Sequence, residues 1–125
     1  MSTPVKCGVI GLGVIGAVHA RILSGMSRAE LTVCCDINQD ALSRSPEGVR
    51  VTDDYLDLLA EPGLEAVVVA TPDSQHRDPV IAALERGLHV LCEKPMAASL
   101  QDADAMIAAD ARSKGRLVIG HVLRF

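Results

Sequence analysis

Val5-Lys6-Cys7-Gly8-Val9-Ile10-Gly11-Leu12-Gly13-Val14-Ile15-Gly16 is the stretch on which the reading turns. Val5–Ile10 is an aliphatic run and predicts a strand. Val14–Ser24 carries Ile15, Val18, Ile22 and Leu23 on one stripe and predicts a helix. Between them lies G-x-G-x-x-G, a weak pattern alone but set here in the context its chemistry requires, after a strand and opening a helix. Gly11 can make the tight turn. Gly13, lacking a Cβ, lets a diphosphate approach the backbone, and Gly16 lets the helix lie near the strand. Free N–H groups and the positive end of the helix dipole then face the phosphates. Gly11, Gly13, Val14, Ile15 and Gly16 are therefore candidate dinucleotide-binding residues. A glycine-rich turn without a ligand is the competing reading. No G-x-x-x-x-G-K-[ST] is present, which excludes a P-loop nucleotidase.

Outward from this unit the same alternation continues. Leu31–Asp36, Val49–Thr52, Leu64–Ala70, Leu88–Cys92 and Leu117–Gly120 predict strands. Helices are expected from an Asn38 cap to about Ser43, from Asp53 or Asp54 to Ala60, over Pro79–Arg86, and over Ser99–Ser113. The last opens on Ser99-x-x-Asp102, which resembles a capping box. Strands alternating with helices argue for parallel pairing, because each parallel crossover needs a helix-sized connection. Right-handed crossovers put helices on both faces. The expected fold class is α/β: a doubly wound parallel sheet (Rossmann) of about six strands in a single domain.

Asp36 ends the second strand, 20 residues after Gly16. A carboxylate there accepts hydrogen bonds from the adenosine ribose hydroxyls and repels a 2′-phosphate. Ile37 follows where an arginine clamp would stand, although Arg44 is within reach. NAD is thus favoured over NADP. The alternative is that Asp36 belongs only to the turn before Asn38.

Composition narrows the function further. The 125 residues are 49% hydrophobic, 22% charged and 2% aromatic, with a net charge of −4. That apolar content argues against disorder, and a basic face with stacking aromatics for nucleic acid is missing. No run of about 18 apolar residues would span a membrane, and four glycines interrupt the amino-terminal apolar stretch, unlike a signal peptide. Cys7, Cys34, Cys35 and Cys92 show neither a C-x-x-C pair nor zinc spacing and read as buried free thiols of a reducing, cytoplasmic compartment. Cys34 and Cys35, adjacent in a strand, should face opposite sides. No metal site is expected.

Chemistry is expected beyond the carboxyl ends of the later strands. Ala70-Thr71-Pro72-Asp73-Ser74-Gln75-His76 follows one, and Glu93-Lys94-Pro95 follows the next. From the residues alone, Lys94 could equally be a solvated loop lysine, and His76 could simply flank the helix at Pro79.

These motifs, with His19-Ala20 after the glycine turn and the closing Gly120-His121-Val122-Leu123-Arg124-Phe125, make the chain resemble the amino-terminal domain of the Gfo/Idh/MocA oxidoreductases. The resemblance covers essentially the whole chain, and its Glu-Lys-Pro element is the more specific part. It implies a two-domain NAD(P)-dependent enzyme that transfers hydride between nicotinamide and a sugar, cyclitol or related hydroxyl or carbonyl compound. It implies that Lys94 sits beside the nicotinamide and the reacting oxygen as the catalytic residue. Glu93 would fix the loop, and Ala70, Thr71, Pro72 and His76 would line the nicotinamide-ribose side. Pro95 is expected to hold an unusual, cis peptide. Burial beside a cationic ring would depress the Lys94 pKa toward neutrality.

The family's carboxyl-terminal substrate domain is not in this sequence, so residues 1–125 are expected to be the dinucleotide-binding domain alone. The end at Phe125, directly after a strand, suggests a cut, with His121 and Arg124 in a hinge. Such a piece is expected to bind NAD weakly and to be nearly inactive. A non-catalytic dinucleotide-binding sensor is the alternative function, and a homodimer is a plausible assembly.

Overall fold

In the computed structural model, which describes residues 3–120, the β-branched and cysteine-containing runs are strands. They are β1 Val5–Ile10, β2 Ala29–Cys35, β3 Arg50–Thr52, β4 Ala66–Val69, β5 His89–Glu93 and β6 Leu117–Gly120. The helices are α1 Val14–Gly25, α2 Tyr55–Leu59, α3 Arg77–Glu85 and α4 Leu100–Arg112, with 3-10 turns at Ala41–Arg44 and Asp73–Gln75. All strands pair in parallel, in the order β3-β2-β1-β4-β5-β6. The chain therefore winds outward from β1 in one direction, returns, and winds outward in the other. The order reverses between β1 and β4, where a doubly wound sheet opens its ligand crevice.

Two apolar layers cover the sheet. Val67, Val69, Val90 and Cys92 point to one face and pack with Leu58 of α2, Val80 and Leu84 of α3 and Met106 of α4. Cys7, Val9, Cys34 and Val68 point to the other and pack with Ala20 of α1. Each fully buried aliphatic side chain contributes about 1.5–3 kcal/mol. Adjacent Cys34 and Cys35 fall in opposite layers, as strand alternation requires, and all four cysteines are buried and unpaired.

Several boundaries differ from the sequence expectation. β2 begins at Ala29 rather than Leu31, because the Ala29 and Glu30 backbone pairs with Val5 and Lys6. The segment after Asn38 is not a capped helix: Asn38 Oδ1 accepts from the Asp40 N–H at 2.9 Å, an Asx-type turn that leads into the 3-10 turn. α3 begins at Arg77, two residues before Pro79. Asp54 and Ser99 do cap their helices, accepting from the N–H groups of Leu56 and Asp102.

The apolar stripe expected on α1 turns inward only in part: Gly16 and Ala20 are its buried residues and Leu23 packs against the core, whereas Ile15 and Ile22 are about half exposed. A Cβ on Gly16 would stand 1.7 Å from the Gly11 carbonyl oxygen, so the helix presses its small residues, not its large ones, onto the turn beneath it. No helix among the described residues is long and apolar enough to cross a membrane. The expected hinge residues His121 and Arg124 lie outside the described residues.

Candidate dinucleotide site

The crevice at the β1–β4 reversal measures about 900 Å³. Gly11, Gly13, Val14, Ile15, Asp36, Ala70, Thr71 and Pro72 all line it, so residues read from three separate stretches of sequence meet in one place. The three glycines do different work. Gly11 has φ +100, and a Cβ there would lie 2.7 Å from the Ala70 carbonyl, so the β1 and β4 loops are in direct backbone contact. Gly16 is locked by the same turn. Gly13 has φ −68, and a Cβ there would meet nothing within 4 Å. The absent side chain at Gly13 therefore leaves room on the crevice side. α1 starts at this point without a side-chain cap and without an acidic residue in its first turn. Its first N–H groups and the positive end of its dipole thus face the opening uncompensated, the arrangement that receives an anion.

Asp36 sits across the glycine turn. Its Oδ2 accepts the Leu12 N–H at 2.7 Å and its Oδ1 accepts the Asn38 N–H at 2.8 Å. Each oxygen keeps a second acceptor site for a hydroxyl in the crevice. Arg44, also in the crevice wall, donates from Nη1 to the Leu12 carbonyl at 2.8 Å. The Leu12 peptide is therefore held by an acid at its N–H and a base at its carbonyl. Sequence reading missed this clamp, although Asp36 and Arg44 were both in view, because nothing in their spacing pointed to Leu12.

His76 is 1% exposed and is not a lining residue, which corrects the expectation that it faces the nicotinamide ribose. Its Nε2 lies 2.7 Å from the Thr71 carbonyl, and its Nδ1 lies 3.3 Å from Cys92 Sγ and 3.2 Å from the Met96 carbonyl. Burial and the neighbouring Glu93 charge push the Cys92 thiol up to about 12, so it stays protonated. The Thr71 carbonyl only accepts, so His76 Nε2–H donates to it. His76 ties the β4 loop to the β5 loop from behind the crevice wall.

Lys94 and Pro95 follow β5 and are exposed, and neither they nor Glu93 line the crevice. The Lys94–Pro95 peptide is cis, as the sequence suggested. Glu93 points instead to the α1 side of the sheet, where its Oε1 lies 2.5 Å from His19 Nε2. Sequence reading had His19 only as part of the motif after the glycine turn. The alternation of β5, with Val90 and Cys92 buried in the opposite layer, was the signal that could have placed Glu93 near it.

The glycine turn, the acid after β2 and the 3-2-1-4-5-6 sheet match a known assembly. Residues 5–121 match the model of an oxidoreductase family with an NAD-binding Rossmann fold, Gfo/Idh/MocA. The chain belongs to the Gfo/Idh/MocA oxidoreductase family. Within it, inositol 2-dehydrogenase 2 of Paenarthrobacter aurescens is 40% identical over 86% of this chain and 33% of its own length. Myo-inositol 2-dehydrogenase of Thermotoga maritima is 36% identical over 96% of this chain and 37% of its own. The WlbA dehydrogenase of Bordetella pertussis, solved with NADH and UDP-GlcNAcA, superposes with a TM-score of 0.86 at 31% identity, over 95% of this chain and 35% of that one. The Gfo/Idh/MocA match is thus to the NAD-binding domain, and the chain spans about a third of the length of these relatives.

Proposed function

We propose that this chain is the cofactor domain of a cytoplasmic, NAD-dependent dehydrogenase that acts on a polyol, cyclitol or sugar. The observation that carries the reading is the pairing of Gly13 and Asp36 across one crevice: an open, uncapped helix start for the diphosphate and a carboxylate for the ribose. The relatives named inositol dehydrogenases support the substrate class, and the relative holding NADH supports the cofactor.

The dinucleotide is held by the Gly13, Val14 and Ile15 backbone at its phosphates, by Asp36 at the adenosine ribose, and by Ala70, Thr71 and Pro72 toward the nicotinamide. The bound nicotinamide supplies the hydride acceptor. Lys94 stands at the reacting hydroxyl and takes its proton as a neutral amine while the carbinol C–H leaves as hydride; reduction runs the same transfers backward. Lys94 is exposed on this domain, so its place beside the reacting oxygen depends on the bound cofactor and substrate. The 125-residue piece accordingly binds NAD weakly and turns over poorly, because orienting the hydroxyl needs binding energy from a substrate pocket. NAD is preferred over NADP because Asp36 repels a 2′-phosphate.

Titrating the chain with NAD and NADP, together with Lys94→Ala, tests this. NAD binding that exceeds NADP binding and survives Lys94→Ala is the expected result. Equal binding of both, or none, contradicts it.

A further inference from the structure

His19 and Glu93 lie 74 positions apart and meet through a 2.5 Å hydrogen bond from Nε2 to Oε1. An ionised carboxylate only accepts, so the His19 Nε2–H donates. The two side chains are 23% and 15% exposed, so removing either leaves a polar group largely out of water without its partner.

Three placements give this pair a consequence. His19 is on α1, the helix whose first turn faces the crevice at Gly13. Glu93 ends β5 and directly precedes Lys94. α1 packs over β1, β2 and β4, so the His19–Glu93 bond carries the helix across to β5. Gly120 of β6 stands opposite Glu93 in register, and a Cβ there would be 3.6 Å from Oε1, so no bulky neighbour displaces the carboxylate.

We propose that His19 is a positioning residue: through Glu93 it locks the Lys94 loop to the diphosphate-binding helix, so that the nicotinamide end of the site is held in register with the phosphate seat. This rests on the dinucleotide reading above. A pair that served stability alone would not distinguish one end of the ligand from the other. The brace does distinguish them, because in the dinucleotide reading it is the nicotinamide end that reaches toward the β5 loop.

The test titrates the whole chain with NADH and with ADP-ribose, which fills the adenosine and diphosphate seats but has no nicotinamide. In His19→Leu, NADH affinity falls about fivefold while ADP-ribose affinity stays within about twofold. His19→Gln, whose amide N–H still reaches the carboxylate, recovers most of the NADH affinity. An unchanged ratio of the two affinities in His19→Leu overturns the brace, whether both affinities hold or both fall together with Tm. Should that variant not fold, the same ratio is read on Glu93→Ala, which removes the acceptor, where a fall of about twofold or more supports the brace and no change overturns it. Wild-type chain that binds neither ligand overturns the dinucleotide reading itself, and the brace with it.

Discussion

Asp36 holds the Leu12 amide at 2.7 Å, so the crevice acid proposed to bind the ribose is also a strut of the glycine turn. In that proposal, specificity and turn geometry are joined in one side chain.

Replacing Asp36 should therefore do two things at once. Asp36→Ser loses the carboxylate acceptor of the Leu12 and Asn38 N–H groups, and hydrogen bonds to charged groups are worth about 1.5–3 kcal/mol each. The unliganded chain should melt several degrees lower, and NAD binding should weaken at least about tenfold. Asp36→Asn, which keeps one carbonyl acceptor, should fall between. Thermal melts paired with calorimetry check this. An unchanged melting temperature for Asp36→Ser would show that the strut is dispensable.

Gly11→Ala and Gly16→Ala should damage the fold itself. The new methyl groups would stand 2.7 Å from the Ala70 carbonyl and 1.7 Å from the Gly11 carbonyl, and Gly11 also has φ +100. Such strain within backbone contacts exceeds the about 1–3 kcal/mol of an ordinary backbone outlier. Urea denaturation should show both variants unfolding at markedly lower midpoints than the wild-type chain.

The thiols give a pH dependence. Burial, reinforced by nearby carboxylates, holds Cys35 and Cys92 up at about 12, and burial with Cys34 and Glu30 holds Cys7 at about 11, against an ordinary 9.0. Above pH 9 the unfolded chain gives up these protons and the folded chain keeps them. The folded state then binds more protons, so stability falls as pH rises. That contribution is full below pH 9 and is lost between about pH 9 and 12. Denaturation midpoints should drop across this window. At pH 8, a thiol reagent should label the cysteines only after denaturant is added. Rapid labelling of the native chain would contradict their burial.

The fold was legible because most strands are compact apolar runs, β3 being the exception, and the crossovers are marked by caps, proline or glycine. The glycine turn and Asp36 were legible because both are local patterns whose spacing is set by one βαβ unit. What was not legible depends on packing distance. On α1, Leu23 packs inward as expected but Ile15 and Ile22 do not, because the helix meets the turn at Gly11 through Gly16, where no side chain fits. The family resemblance put His76 on the nicotinamide-ribose side, but its ring turns inward toward Cys92, a contact from the next strand. The Arg44–Leu12 and His19–Glu93 bonds join segments whose separation in sequence carries no pattern.

Gly13→Ala separates ligand from scaffold most sharply. At φ −68 with nothing within 4 Å of the new methyl group, alanine should fold as well as glycine, within about 0.5 kcal/mol. The same methyl group would stand at the crevice wall where the diphosphate is proposed to sit. Calorimetric titration of NAD into wild-type and Gly13→Ala chains of matched melting temperature should therefore show saturable binding in the first and its loss, by tenfold or more, in the second. Equal binding by the two chains would contradict the account.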